Sequence, residues 1–218
     1  MKKFIRSISV ATLAMAMAIP AMADRVLNAD VVVVGAGGTV AAASAQEAGL
    51  KTVLLEKNAF AGGAGNFMEG SFAVESFMQK KAGVKLTKLE EFNRMGEYHH
   101  WRINAPLVKR FIEESPKTIQ WVWDHGVHWK EVKSVWAGNK NLTWHIYPHA
   151  GSLPAAMVNT FQKKGGTLLL QTPGETLIMK DGRAVGVVAK DLKTGEKVTV
   201  NAKYVVLATG GYNFNKDM

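Results

Sequence analysis

Residues 30–40 read Asp30-Val31-Val32-Val33-Val34-Gly35-Ala36-Gly37-Gly38-Thr39-Val40. Four consecutive β-branched valines suit a strand buried on both faces, which is the environment of a parallel sheet. An alanine-rich run from Ala41 to Ala48 then predicts a helix stopped by Gly49, and Thr52-Val53-Leu54-Leu55 predicts a second strand that ends on Glu56. Strand, glycine turn, helix, strand and acid in this order form a dinucleotide-binding unit. Gly35 permits the sharp turn, Gly37 lets backbone approach a pyrophosphate, and the helix N-terminus aims partial positive charge at it. Glu56, 21 residues beyond Gly35, is placed to accept hydrogen bonds from ribose hydroxyls. The alternative is a glycine-rich turn in an ordinary parallel-sheet protein. Val40 stands where the G-x-G-x-x-G pattern asks for a third small residue, so the helix is expected to sit farther out or to tilt.

A carboxylate at position 56 suits the ribose of NAD or of FAD. Ala61-Gly62-Gly63-Ala64-Gly65 opens a second glycine-rich loop just past it, with Gly70 and Ser71 beyond. Two such loops flanking one strand suit a ligand that reaches from ribose to an aromatic ring system; a plain surface loop is the competing reading.

The N-terminus has a different character. Lys2, Lys3 and Arg6 precede an apolar stretch from Ile8 to Ile19, followed by Pro20-Ala21-Met22-Ala23. This pattern predicts a signal peptide over residues 1–23, too short for a bilayer crossing and carrying the small residues of an Ala-x-Ala cleavage site. Losing Lys2, Lys3 and Arg6 lowers the formal net charge from +9 by three to +6. The remaining lysines are scattered and not interleaved with aromatics, so nucleic acid is not an expected partner. The chain has no cysteine, which excludes disulfides, thiolate metal sites and thioether haem attachment within it.

Three zones follow the signal: the nucleotide-binding pattern to about residue 82, a helical and aromatic zone from about 83 to 150, and a zone of helix then strands from 151. In the middle zone, Thr87 with Glu90 forms a capping box, Asn104 caps a helix with Pro106 in its first turn, and Ser115-Pro116 is expected to start another helix toward Gly126. The last zone predicts a helix from Leu153 to Lys164. Strands are expected at 167–171, 175–179, 184–190 and 197–201, then a separate strand from Tyr204 to Ala208 leading into Thr209-Gly210-Gly211.

These residues together carry a resemblance. Val31 to Gly38, Leu54-Leu55-Glu56-Lys57, the Gly62-Gly63 loop and Val205-Val206-Leu207-Ala208-Thr209-Gly210-Gly211-Tyr212 are similar to the FAD-binding domain of the fumarate reductase and succinate dehydrogenase flavoprotein family, in its soluble, exported bacterial branch. Supporting matches run through Pro106-Leu107-Val108, Gly165-Gly166-Thr167 and Asp181-Gly182-Arg183. The resemblance implies an α/β fold: a Rossmann-like FAD-binding domain with a parallel sheet, a helical insertion and a β-meander, spanning residues 24–218. It implies FAD, with the pyrophosphate on Gly35, Ala36, Gly37, Gly38 and Thr39 and the ribose on Glu56 beside Lys57. Gly62, Gly63, Ala64, Gly65 and Gly70 would lie along the pyrophosphate and isoalloxazine, Gly174 near the adenine, and Thr209 and Gly210 would close the site. Ala64 and Gly65 replace polar residues common in the family, and Asn66 is expected to substitute for them. No histidine lies between Glu56 and Gly70, so FAD is expected to be non-covalent.

The implied activity is hydride transfer from reduced flavin to the C=C bond of a small unsaturated carboxylic acid, with electrons from a separate donor protein or domain, in the periplasm. The family's catalytic residues lie in segments that follow the Ala-Thr-Gly-Gly strand, so none is assigned here; a capping domain is expected downstream. The alternatives are a flavin-dependent ketosteroid-type dehydrogenase and a non-catalytic FAD-binding fragment, in which Tyr204 to Gly211 would end at an unprotected sheet edge. All six histidines and all six tryptophans fall between His99 and His149. Gly126 and Pro148 interrupt the pairs His125/His128 and His145/His149, so no metal site is assigned; aromatic packing and a histidine facing the flavin pocket are the other two readings.

Overall fold

The computed structural model describes residues 24–134, 141–211, 213 and 216. The signal-peptide reading over 1–23, Trp136 and Tyr212 lie outside the described residues. The elements in chain order are β1 (Arg25–Val34), α1 (Thr39–Glu47), β2 (Thr52–Leu55), β3 (Gly70–Phe72), α2 (Phe77–Lys81), α3 (Lys88–Tyr98) and α4 (Ala105–Asp124). They continue with β4 (Val132–Lys133), β5 (Trp144–Ile146), α5 (Ser152–Lys163), β6 (Thr167–Leu169), β7 (Gly174–Lys180), β8 (Arg183–Lys190) and β9 (Lys197–Leu207). Short 3₁₀ turns occupy Ala36–Gly38 and Gly63–Phe67.

The main sheet has six strands in the order β6-β2-β1-β9-β8-β7. Its first four strands run parallel, and β7, β8 and β9 form an antiparallel meander fused to them. The valine run of β1 is central because it is apolar on both faces. Val31 and Val33 pack with Leu54 against Ala42 and Ala43 of α1 and Met157 and Phe161 of α5. Val32 and Val34 point the other way, into a cluster with Val53, Leu55, Val187 and Val200. On that second face the meander folds back over β1: a Cβ on Gly174 would stand 2.7 Å from Val34 Cγ1 and 3.2 Å from Val187 Cγ1.

β6 stops at Leu169 where the strand was expected to reach Gln171, which leaves the sheet at φ 51° with its N–H on Asn58 O, and two longer differences concern β1 and β9. β1 starts at Arg25 and not at Asp30, and residues 197–207 form one strand where two were expected. The physical reason is mutual. β1 and β9 pair along their whole length, and the weak strand formers at the join are bridged by Asn201 Nδ2 donating to Asn28 Oδ1 at 3.1 Å and by Lys203 Nζ at 2.7 Å from Asp30. β8 covers the other side of β9 only as far as Asn201. From Ala202 to Leu207, among the described residues, β9 has a partner on its β1 side alone.

In the middle zone the capping box at Thr87 and the Asn104 cap form as expected. Ser115-Pro116 does not start a helix; α4 runs through it from Ala105 to Asp124. Proline removes the N–H that would reach the Ile112 carbonyl, and the Ser115 hydroxyl donates to that carbonyl instead, at 2.8 Å. The end of this zone is not helical either: β3, β5 and β4 make a second, antiparallel sheet. Among the described residues no helix is long and apolar enough to cross a membrane.

The clustered rings pack, each in its own setting. Trp121 lies on His125, Trp123 stacks on His128, and Trp129 is buried against Tyr147. Glu47, at the end of α1, receives the Trp121 indole N–H at 3.0 Å, with His125 Nε2 at 3.1 Å and Lys164 Nζ at 3.3 Å, and so ties α1 to the ends of α4 and α5. These contacts hold the Glu47 carboxyl below its ordinary range, His125 contributing most.

His145 is fully buried. Ser76 Oγ caps α2 by accepting from Gln79 N at 3.1 Å, so its hydrogen is available to His145 Nε2 at 2.6 Å, while His145 Nδ1 faces the Thr143 carbonyl at 3.3 Å. This network selects the neutral Nδ1–H tautomer. Burial, the largest influence, lowers the His145 pKa below its usual value near 6.5. The unfolded chain therefore binds this proton first as pH falls, so the His145 contribution is intact above about pH 6.5 and is lost progressively below it, until the folded pKa is reached. Thermal midpoints measured from pH 7.5 to 5 are expected to fall more steeply for the parent chain than for His145→Phe. Parallel curves would remove His145 as the cause.

Candidate cofactor site

The site is built where β1, β2 and β9 end together. Gly35 leaves β1 at φ 92°, a left-handed conformation that favours glycine, and its N–H donates to Leu55 O at 2.8 Å. A Cβ on Gly35 would lie 2.4 Å from the Ala208 carbonyl oxygen, and one on Gly37 3.2 Å from the same atom. β1 has β2 on one side and β9 on the other, which opens the crevice at strand C-termini that α/β sheets use for ligands. No N-cap side chain closes the 3₁₀ turn or α1 that follow; the first turn amide, Ala36 N, goes to Glu56 and Gly38 N to Gly35 O, so a phosphate would meet the turn at the backbone of Gly37 and the N-terminal end of α1.

Glu56 is almost completely buried, yet its partners are all main-chain amides: Oε2 accepts from Ala36 N and Oε1 from Asn58 N, each at 2.8 Å. The acid thus braces the glycine turn against the start of the second loop. A carboxylate has about four acceptor positions, so each oxygen keeps one for a ribose hydroxyl.

A cleft of about 570 Å³ runs along these ends. It is lined by Gly35, Ala36, Gly37, Glu56, Lys57, Gly63, Ala64, Gly65, Gly174, Thr209 and Gly210, all expected from sequence. Four other expected residues stand off its wall. Gly38 is buried under Val33, where a Cβ would be 2.6 Å from Val33 Cγ1, and Thr39 is buried behind it. The close helix–strand contact is therefore served by Gly38, and Val40 packs into the core with Val33 and Phe161. Gly62 turns the loop at φ 112°, and Gly70 lies in β3 opposite Ile146. Asn66 does not offer its amide to the cleft; Nδ2 donates to Ala61 O at 3.0 Å and closes the loop on itself.

Sequence reasoning missed Asn58, Phe60, Phe67, Pro173 and Ala208, which also line the cleft. Phe60 and Phe67 carried a usable signal, since they are large apolar residues bracketing a glycine loop, and they are 63% and 82% exposed. His145 faces Ser76 and not the cleft. Among the described residues no group of three or more His, Cys, Asp or Glu side chains is arranged to hold a metal.

The profile of the family described as FAD binding domain matches residues 30–217. The chain belongs to the FAD-binding domain family. The cofactor is FAD, and the glycine-lined turn with buried Glu56 fits its pyrophosphate and ribose. The FAD-binding domain is 38% identical over 194 residues to the vinyl phenol reductase of Lactiplantibacillus plantarum, covering 87% of this chain and 39% of that protein. A flavocytochrome c3 fumarate reductase in its open conformation superposes with a TM-score of 0.74 at 26% identity, over 88% of this chain and 35% of the other. A 3-ketosteroid-Δ4-(5α)-dehydrogenase from Rhodococcus jostii gives 0.75 at 23% identity, over 88% and 47%, a likeness of fold. The chain thus spans less than half the length of each of these proteins.

Proposed function

We propose that this chain forms the cofactor-binding part of an exported FAD-dependent reductase of small unsaturated acids. The observation that carries the reading is the joint placement of Gly35, Gly37 and Glu56 at one end of the sheet, beside a cleft walled by the second glycine loop. FAD, when bound and reduced, supplies the hydride that with one proton saturates a C=C bond. The chain's own residues do the holding. Backbone amides of the turn after β1 neutralise phosphate charge, Glu56 orients the ribose, and Phe60 and Phe67 present apolar surface at the cleft. The vinyl phenol reductase and fumarate reductase relatives support reduction of a C=C bond. Electrons would come from a separate donor protein or domain, and the basic, apolar N-terminus supports export to the periplasm.

The purified chain is expected to carry stoichiometric flavin absorbance, and acid precipitation is expected to release the flavin into the supernatant because the attachment is non-covalent. Reduced artificial donor with fumarate or an aryl acrylate then tests turnover. Colourless protein would sink the cofactor reading, and flavin retained in the pellet would sink the non-covalent one.

A further inference from the structure

A second cleft of about 600 Å³ adjoins the cofactor cleft and shares Phe67 with it. Its walls come from the end of the second glycine loop, the approach to β4 and the β5 turn. Main-chain bonds lace these segments together: Lys130 N donates to Ile146 O at 2.9 Å and Tyr147 N to Glu69 O at 2.9 Å. The wall is therefore rigid, built on the second sheet and not on a free loop.

Three large aromatic side chains contribute to its lining. Phe67, Trp144 and Tyr147 all face it. Tyr147 is immobilised, with its hydroxyl 2.6 Å from Ser71 Oγ and its ring on Trp129. Trp144 owes its position to Gly70, where a Cβ would meet its Nε1 at 2.7 Å; this is a use for Gly70 other than touching the flavin. The ammonium groups lie on one segment, at Lys130 and Lys133. Lys133 Nζ is 2.8 Å from Glu131, whereas Lys130 has no carboxylate partner among the described residues. Glu69 supplies a negative charge on the opposite segment. A short aliphatic dicarboxylate needs a cation at each end, and here the wall facing the lysines offers rings, the Glu69 carboxylate and the His149 imidazole, whose Nδ1 is turned to the Ala150 carbonyl at 3.0 Å. A flat ring packed against Phe67 and Trp144, with a single carboxylate toward Lys130, suits these walls.

We propose that this second cleft is the substrate subsite and that it selects planar aryl-substituted unsaturated monocarboxylic acids over small dicarboxylates. The proposal rests on the reductase reading above and deepens it. Calorimetric titration with trans-cinnamate and with fumarate, on the full chain with and without FAD, tests it. Cinnamate is expected to bind at least about tenfold more tightly than fumarate. Lys130→Ala, an exposed change that does not threaten folding, is expected to weaken cinnamate roughly tenfold without altering FAD stoichiometry, and Trp144→Leu is expected to weaken it similarly. Equal or tighter binding of fumarate, or cinnamate affinity unchanged in Lys130→Ala, would overturn the proposal. Failure to take up FAD would instead overturn the reductase reading, while the titration without FAD still decides the preference for the ring.

Discussion

Gly35→Ala is expected to yield a protein that purifies without flavin and melts well below the parent. Two penalties combine at this position. The backbone sits at φ 92°, where a side chain is strained, and the added methyl would lie 2.4 Å from the Ala208 carbonyl oxygen, which is held in place by Ala208 N donating to Val34 O at 2.8 Å. Neither β1 nor β9 can retreat without breaking the pair at the centre of the sheet. Strain and overpacking together are on the order of 3 kcal/mol, which for a chain of this size is a fall in Tm of roughly 6–12 °C. The displaced turn would also carry its amides away from the pyrophosphate. Gly211→Ala is the matched control, because a Cβ there meets nothing within 4 Å. Absorbance near 450 nm and thermal denaturation measure both effects; wild-type flavin content in Gly35→Ala would refute the close approach.

Glu56→Ala ranks next, and its effect is larger than loss of a ribose contact alone. The carboxylate satisfies the amides of Ala36 and Asn58, and removing it leaves two N–H groups in a nearly dry setting. Each orphaned donor costs about 1–3 kcal/mol, so a destabilisation of roughly 2–6 kcal/mol is expected alongside loss of FAD. Glu56→Gln separates the roles. Its amide nitrogen must oppose one of the two donors, so stability still falls, but volume is kept and the fold survives for titration. If the acid also holds the ribose, FAD affinity of the folded Gln variant falls at least about tenfold. Unchanged affinity at reduced stability would show that Glu56 serves the backbone only.

The strand-turn-helix unit was legible because it is local: the valine run, the glycines and Glu56 lie within one stretch, and each residue type has a steric or electrostatic reason to be there. The parallel sheet and the meander followed from the same logic. What escaped was set by distant partners. No local pattern announces that residues 25–29 lengthen β1, since Val26, Leu27 and Ala29 form a strand only because β9 runs beside them. Pro116 reads as a helix start unless the Ser115 hydroxyl is credited with replacing the lost N–H. β4 and β5 are two and three residues long, below what periodicity can register. One local signal was overlooked: Ser76 and Gln79 form a capping box that announces α2. In the site, the backbone-facing residues were legible as glycines, whereas Asn66 misled because its polar side chain closes its own loop.

Among the described residues β9 is covered on one side only beyond Asn201, which has a consequence for handling residues 1–218 by themselves. Ala208 N points to β1, so by alternation the main-chain groups of Lys203, Val205 and Leu207 point away from it, beyond the reach of β8. Deuterium should therefore enter this strand at every second amide, quickly on one side and slowly on the other. Lys203, whose charge could keep a second copy at a distance, is held at Asp30 of its own sheet, and the exposed Tyr204 and Leu207 add apolar grip. Concentrated solutions are accordingly expected to thicken through strand-to-strand adhesion along residues 203–207, and a lysine introduced at Val205 should keep them clear.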